Sequence, residues 1–296
     1  MRGAAGRAVS RLPAPIRALA SLDARQMTPL VALLLGIIEG LTEYLPVSST
    51  GHLILASSAF GLHDDGSKAF DVVVQLGAIM AVVLHYRVLL LERARGLLAG
   101  EPIAKRLLVC LFVGFLPSAV LGLAFGKIIK RYLFAPLPVA GALLVGGVAM
   151  VAIERLFRTR EAKVKQLADV TPRHALLIGL GQCFALVPGT SRSMSTIVAA
   201  RLAGLSPEVA AEFSFLLALP TLTAATAYEF LKSYQTFLAP GALGPLGIGL
   251  LASFFTAWLV VATFLRVLGK VGLAPFGVYR IALACVVVWF ATRSSA

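Results

Sequence analysis

Five apolar runs dominate this chain, and each is about long enough to cross the roughly 30 Å hydrocarbon core of a membrane. Charged residues make up only 14% of the sequence, against about 25% in a typical soluble domain. The chain is therefore predicted to be an all-α polytopic membrane protein in a lipid bilayer. The runs lie near residues 70–91, 107–126, 137–153, 246–265 and 275–291.

The net charge is +13. In a soluble protein this excess would suggest nucleic-acid binding, but the basic residues form no continuous face and cluster in short loops between the runs. They follow the positive-inside rule, so we expect no nucleic-acid partner. The loops after runs 70–91, 137–153 and 246–265 are the richest in Lys and Arg. The positive-inside rule therefore predicts that these loops are cytoplasmic and that the C-terminus lies outside.

Residues 1–26 contain five arginines and lack the apolar core of a signal peptide. We expect a basic, disordered N-terminal tail. Because Met27 begins "MTPLVALLLG", a start of translation at Met27 rather than Met1 stays an open alternative.

The rest of the chain repeats itself weakly after 142 to 143 residues. "LPVSSTGHLILASSAFGL" at 45–62 aligns with "VPGTSRSMSTIVAARLAGL" at 187–205, which pairs Ser49 with Ser191. This alignment predicts a first membrane repeat at 27–156, a cytoplasmic linker at 157–172 and a second membrane repeat at 173–296.

Each repeat begins with two short apolar segments around a knot of polar residues. The segment after the first knot has only about ten apolar residues, which is too few to cross a membrane. The two knots therefore predict two re-entrant helical hairpins, and three full spans follow in each repeat. Since three is odd, the sequence predicts two inverted-topology repeats with six transmembrane helices in all. The loop charges predict that the first hairpin enters from the outer side, so we expect the cavity to face that side.

The first knot follows two glutamates, Glu39 and Glu43, which share a helix face because they are four residues apart. Carboxylates inside a membrane segment are costly and usually functional. Together they are able to bind a divalent cation, or one stays protonated and acts as a general acid or base. A glutamate pair satisfied by serines or backbone is the structural alternative.

In the knot itself, "PVSSTGH", we expect Pro46 to end the helix and Gly51 to permit an unusual turn. Backbone N–H groups ahead of a new helix bind anions, and a hydroxyl beside an imidazole or carboxylate is a candidate nucleophile. Ordinary helix capping is the alternative for each serine. The side chains in question are Ser48, Ser49, Thr50 and His52.

The second knot, "VPGTSRSMS", places Arg192 deep in apolar sequence. Arginine suits planar contacts with phosphate, and Gly189 lets the backbone approach closely. A structural arginine paired with Glu39 or Glu43 is the alternative. Both knots together hold the groups needed to bind a phosphate ester at a membrane. The hydroxyls of the second knot belong to Thr190, Ser191 and Ser193.

Four motifs, "EGLTEYLPVSSTGHLIL", "FDVVVQLGAIMAVV", "PGTSRSMSTIVAARLAG" and "AAEFSFLLALP", resemble the undecaprenyl-diphosphate phosphatase family of bacteria, the bacitracin-resistance type. The likeness runs from about Met27 to "VYRIALACVVVWF" near the C-terminus. It implies an inverted-repeat membrane protein that hydrolyses undecaprenyl diphosphate to undecaprenyl phosphate and phosphate, and so recycles the lipid carrier of peptidoglycan synthesis.

By motif position, the resemblance makes Glu39 and Glu43 the acidic pair, Ser49 the candidate nucleophile, His52 a member of the same motif and Arg192 the ligand of the diphosphate. It also implies a divalent cation, and we expect Mg²⁺ or Ca²⁺ at the two glutamates. Glu43 or His52 would accept the proton of Ser49; in a variant, water attacks directly. The expected further contacts to the diphosphate are Ser48, Thr50, Ser191 and Ser193.

A transporter or flippase of an anionic or lipid-phosphate substrate is the competing class, because inverted repeats and midplane hairpins are also a transport architecture. An enzyme turns over without a gradient, whereas a carrier leaves the bonds of its substrate intact. The expected partners are a polyprenyl diphosphate lipid and the bilayer, and assembly into a homo-oligomer stays open.

Overall fold

The computed structural model describes residues 27–62, 64–157, 161–238 and 240–294, and the predicted tail at 1–26 lies outside them. Twelve α-helices make up most of this part of the chain, which contains no β-strand and a single bridge between Val164 and Leu205. The helices are α1 (Pro29–Thr42), α2 (Ser49–Ala59), α3 (Asp65–Val73), α4 (Gln75–His85), α5 (Arg87–Leu98), α6 (Pro102–Leu133), α7 (Pro136–Phe157), α8 (Pro172–Gln182), α9 (Arg192–Leu202), α10 (Pro207–Phe237), α11 (Leu243–Val271) and α12 (Ala274–Ser294).

Six segments of the described chain are long and apolar enough to cross a membrane, which confirms a multi-pass helical membrane protein. The predicted span at 70–91 is wrong at both ends, because the segment runs from Asp65 to His85. Tyr86 leaves the helical conformation, so the leucines at 89–91 belong to α5 instead. The spans are Asp65–His85, Pro102–Ile129, Pro136–Phe157, Pro207–Phe237, Leu243–Val271 and Ala274–Thr292.

Local residues explain where several of the helices begin. Proline stands in the first turn of α1, α6, α8 and α10, where its missing N–H has no helical partner to lose. The side chains of Thr28, Thr171 and Ser206 cap α1, α8 and α10. Proline and the capping threonine thus begin α1 and α8, the first helices of two short pairs. The pairs, α1 with α2 and α8 with α9, surround the polar knots.

Helix α1 is held against α11 by close backbone contact. Gly36 and Gly40 lie one turn apart on α1, so they face the same way. A Cβ at Gly36 would meet the Gly249 carbonyl, and one at Gly40 would collide with Thr256. Small residues allow such an approach in membranes, where packing rather than the hydrophobic effect drives helix association. This contact fixes the helix that carries Glu39.

The two halves of the chain share one apolar core. Its fully buried members include Ala78 and Met150 from the first half and Ile197, Phe213 and Phe215 from the second. Many large apolar side chains on the span helices are exposed instead, as expected where a surface meets lipid. The polar knots lie beside the shared core.

Candidate active site

The turn between α1 and α2 is built around Ser48. Helix α1 ends at Thr42, and Pro46 has no N–H to bond to the Thr42 carbonyl. Ser48 has a φ of 74°, and its side-chain oxygen accepts a bond from the Gly51 N–H at 3.2 Å. The prediction that Gly51 makes the unusual turn is wrong, since Gly51 lies within α2 and Ser48 takes the left-handed conformation.

The turn before α9 has the same design. Ser191 also has a φ of 74°, and its oxygen accepts a bond from the Met194 N–H at 3.3 Å. Positive φ is rare for a residue with a side chain and costs about 1–3 kcal/mol. Ser48 and Ser191 therefore occupy equivalent positions in the two turns. The sequence alignment instead pairs Ser191 with Ser49, one residue later.

The same turn contains Gly189, which the sequence predicts to allow a close approach of the backbone. Its φ is 92°, and a Cβ there would lie 2.5 Å from the Val139 carbonyl oxygen. Only glycine fits this close approach to α7.

The two turns bring Ser49, Glu43 and Arg192 together. The Ser49 hydroxyl donates to Glu43 Oε2 at 2.6 Å. Arg192 Nη2 lies 3.3 Å from Glu43 Oε1, and its Nη1 donates to the Ser214 carbonyl at 3.0 Å. The Arg192 guanidinium also lies over the Tyr44 ring, 5.5 Å from its centroid. Glu43 thus stands between a hydroxyl and a guanidinium that come from different halves of the chain.

The burial of this group decides what it can do. The side chains of Arg192 and Glu43 are only 8% and 6% exposed, and Ser49 is buried as well. Charged hydrogen bonds are stronger in such surroundings than in water. The carboxylate is placed to accept the Ser49 proton, and the guanidinium to bind an anion. The structural alternative, an arginine paired with Glu43, is also present. The same ion pair is therefore compatible with a structural role and with a role in anion binding.

His52 lies in the same turn but does not bond to Ser49. Its Nδ1 is 2.7 Å from the Ser48 carbonyl oxygen and its Nε2 is 2.7 Å from the Tyr279 hydroxyl. Because a carbonyl only accepts, Nδ1 carries a proton, and in the neutral ring Nε2 accepts from Tyr279. The Tyr279 ring stacks parallel to the imidazole. In this arrangement Glu43, and not His52, is the base within reach of Ser49.

Glu39 is fully buried beside Glu43, and neither of its carboxylate oxygens accepts a hydrogen bond from an N–H group or a hydroxyl among the described residues. Two such oxygens fit the preference of Mg²⁺ and Ca²⁺ for carboxylate ligands. The described part of the chain holds no group of three or more His, Cys, Asp or Glu that suits a metal. A cation at Glu39 and Glu43 would therefore need further oxygens from the substrate or from water.

The remaining predicted hydroxyls have distinct surroundings. Ser193 donates to the Leu45 carbonyl at 2.9 Å and so ties the two turns together. Ser191 lies 3.0 Å from Ser193, oxygen to oxygen. Thr50 is half-buried at the start of α2, and Thr190 is half-buried in the turn before α9.

Four residues near the site were missed from the sequence. Ser214 bonds to Arg192, Tyr279 to His52, and Arg280 to both turns. Asp71 is a half-buried carboxyl whose Oδ2 accepts from Ser57 and whose Oδ1 is buried without a hydrogen-bond partner among the described residues. Asp71 and Arg280 could have been recognised from the sequence, because a charged residue within an apolar span usually has a function.

The fold and the site define a class of membrane protein, one whose spans enclose a buried serine, glutamate and arginine suited to an anionic substrate. The chain belongs to the bacitracin resistance protein BacA family, which matches residues 32–286. This confirms the resemblance seen in the motifs.

Individual relatives agree. The chain is 52% identical over 260 residues to an undecaprenyl-diphosphatase of Sorangium cellulosum, a match that covers 87% of this chain and 85% of the relative. It is 47% identical over 257 residues to an undecaprenyl-diphosphatase of Nitrosomonas eutropha, with 87% and 92% covered. A protein of the same name from Azotobacter vinelandii is 44% identical over 260 residues, again with 87% and 92% covered.

Proposed function

We propose that this protein hydrolyses undecaprenyl diphosphate to undecaprenyl phosphate and inorganic phosphate in the bacterial inner membrane. The observation that carries the proposal is the buried contact of Ser49 and Arg192 with the two oxygens of one carboxylate, Glu43. The family and the names of its relatives support the same reaction. Recycling the lipid carrier for peptidoglycan synthesis follows from the product, and so does the protection against bacitracin for which the family is named.

In this mechanism Ser49 is the nucleophile. Its oxygen attacks the terminal phosphorus while its proton passes to Glu43, and the bond to the bridging oxygen breaks, so that undecaprenyl phosphate leaves with the electron pair. Water then attacks the phosphoserine, releases phosphate and restores the hydroxyl. Positioned charges supply most of the catalysis of phosphoryl transfer. In the variant that we keep, water attacks the diphosphate directly and Ser49 only donates a hydrogen bond.

Arg192 links binding to this chemistry. Its guanidinium bonds to Glu43. A diphosphate that binds Arg192 competes for the same N–H groups and leaves the Glu43 carboxylate facing the Ser49 hydroxyl. Ser48, Thr50, Ser191 and Ser193 are proposed as further contacts to the diphosphate, since they line the two turns.

A divalent cation, Mg²⁺ or Ca²⁺, is proposed at Glu39 and Glu43. The unpartnered oxygens of Glu39 support this assignment. When bound, the ion would neutralise charge on the diphosphate oxygens. His52, held by Tyr279 and the Ser48 carbonyl, is proposed to orient the turn and to exchange protons with water.

The two short helix pairs are proposed as re-entrant hairpins in two inverted repeats, at 27–156 and 173–296. The shared conformation of Ser48 and Ser191 supports this symmetry. The basic loops, including the linker at 157–172, are proposed to be cytoplasmic, so that the cavity opens toward the outer side. The lipid tail would then lie against the apolar flanks of the spans.

The direct test is phosphate release from undecaprenyl diphosphate by the protein purified in detergent, with mass spectrometry of the lipid product. We expect undecaprenyl phosphate and phosphate in equal amounts, without any gradient. A folded protein that binds the lipid and returns it with the diphosphate intact would favour the transporter or flippase instead.

A further inference from the structure

Arg280 is a fully buried cation in the last span, and no carboxylate lies within ion-pair distance of it in the part of the chain that the structure describes. An unpaired charge in a membrane interior is expensive unless other groups offset its lost hydration. Other groups in the fold must therefore offset the cost of burying this arginine.

The hydrogen bonds of Arg280 show what it does. Its Nη1 lies 3.4 Å from the Pro46 carbonyl oxygen, and its Nη2 donates to the Gly189 carbonyl at 2.9 Å. Pro46 precedes Ser49 by three residues, and Gly189 precedes Arg192 by three. One planar guanidinium thus fixes both turns of the site, a task that suits the rigid fork of arginine.

The surroundings are shaped to admit this side chain. A Cβ at Gly146 of α7 would collide with the Arg280 guanidinium and with Met194. The carbonyl of Ala142 lies one turn earlier on α7 and accepts the third hydrogen bond of the guanidinium, from Nη2 at 3.2 Å. Three carbonyl oxygens accept bonds from Nη1 and Nη2, whereas Nε has no partner among the described residues. None of the three carbonyls carries a full negative charge, so the guanidinium keeps a net positive charge behind the turns.

We propose that Arg280 is a positioning residue for diphosphate hydrolysis, an inference that rests on the function proposed above. It sets the distance between the turn that bears Ser49 and the turn that bears Arg192. Its uncompensated charge also favours an anion between them. A purely structural arginine would do neither.

Arg201 provides the matched control. It is a buried arginine that donates to the Leu205 carbonyl and lies over the Phe157 ring, and neither residue belongs to the turns of the site. The variants are Arg280→Gln, Arg280→Lys and Arg201→Gln in the full-length protein. The measurements are kcat and KM for undecaprenyl diphosphate, the inhibition constant of inorganic pyrophosphate and the thermal unfolding temperature.

For Arg280→Gln we expect KM and the pyrophosphate inhibition constant to rise about tenfold or more, because the positive charge behind the two turns is lost. We expect kcat to fall about 100-fold, as for a misplaced reacting group. Arg280→Lys keeps the charge but not the fork, so it should recover the inhibition constant and not kcat. Arg201→Gln should lower only the unfolding temperature.

Wild-type kinetic constants in Arg280→Gln, or the profile of Arg201→Gln, would overturn the proposal. If Arg280→Gln does not fold, Arg280→Lys decides through its kcat. If the wild type releases no phosphate, the proposed function fails by itself. Arg280 is then judged by the pyrophosphate affinity alone, measured by calorimetry, and an unchanged affinity in Arg280→Gln overturns its role.

Discussion

The Ser49 hydroxyl donates to Glu43 at 2.6 Å inside a protein whose surface is largely apolar. A serine has little nucleophilic strength unless a base takes its proton, and the carboxylate that accepts the Ser49 hydrogen bond also binds Arg192. One glutamate therefore connects the proposed nucleophile, Ser49, with the proposed ligand of the diphosphate, Arg192.

The serine contact predicts a covalent intermediate. We expect acid-quenched wild-type protein to carry phosphate on the peptide that contains Ser49, detected by mass spectrometry. Ser49→Ala should lose phosphate release, whereas Ser58→Ala, on the exposed side of the same helix, should retain it. An inactive Ser49→Ala without any phosphoserine in the wild type would favour direct attack by water. An active Ser49→Ala would exclude Ser49 from the chemistry.

The ion pair of Arg192 with Glu43 predicts a coupled effect on stability. Arg192→Met leaves a buried carboxylate unpaired, which should lower the free energy of unfolding by about 3–5 kcal/mol. Glu43→Gln in the same chain should restore part of this loss, because the uncompensated charge is gone. Denaturation of the two single variants and the double variant in detergent measures the coupling. Strictly additive losses would mean that the two side chains do not interact.

The free oxygens of Glu39 predict cation dependence. EDTA should stop phosphate release, and Mg²⁺ or Ca²⁺ should restore it. In Glu39→Gln the cation concentration that gives half of the thermal stabilisation should rise at least about tenfold. Glu92→Gln, on the exposed surface of α5, is the control and should leave it unchanged. Equal cation responses in both variants would place the ion elsewhere.

Helix packing around the site predicts a contrast between two glycines. Gly40→Ala should lower the free energy of unfolding by about 1–3 kcal/mol, since the new methyl collides with Thr256. Gly126→Ala on α6 meets nothing within 4 Å, and it should be neutral or stabilise by about 0.5–1 kcal/mol through helix propensity. Thermal unfolding of both variants checks this, and similar losses would contradict the packing described for α1.

Local patterns were sufficient for most of the fold. Apolar length identified five of the six spans, and the sixth, Pro207–Phe237, followed only from the repeat. Proline and the polar knots located both short helix pairs. The pattern failed where two readings look alike: the leucines at 89–91 continue the apolar run in sequence but follow a break at Tyr86. The left-handed residue was assigned to Gly51 because glycine is the usual choice, while the turn places Ser48 there.

The site was predictable in part. Glu43, Ser49 and Arg192 stand out as polar residues in apolar sequence, and the structure places them in contact. The contacts made by Tyr279 and Arg280 span more than 220 residues of sequence from His52 and Pro46. No local periodicity encodes such pairs. The bond that turns His52 toward Tyr279 is a tertiary feature of this kind.

The central claim is that Glu43 accepts the proton of Ser49, and Glu43→Gln tests it most directly. The amide keeps the size of the side chain and its oxygen, but it cannot take a proton. We expect kcat for phosphate release from undecaprenyl diphosphate to fall at least about 100-fold in folded protein that still binds the lipid. A kcat within a few-fold of the wild type would contradict the account and remove Glu43 from the chemistry.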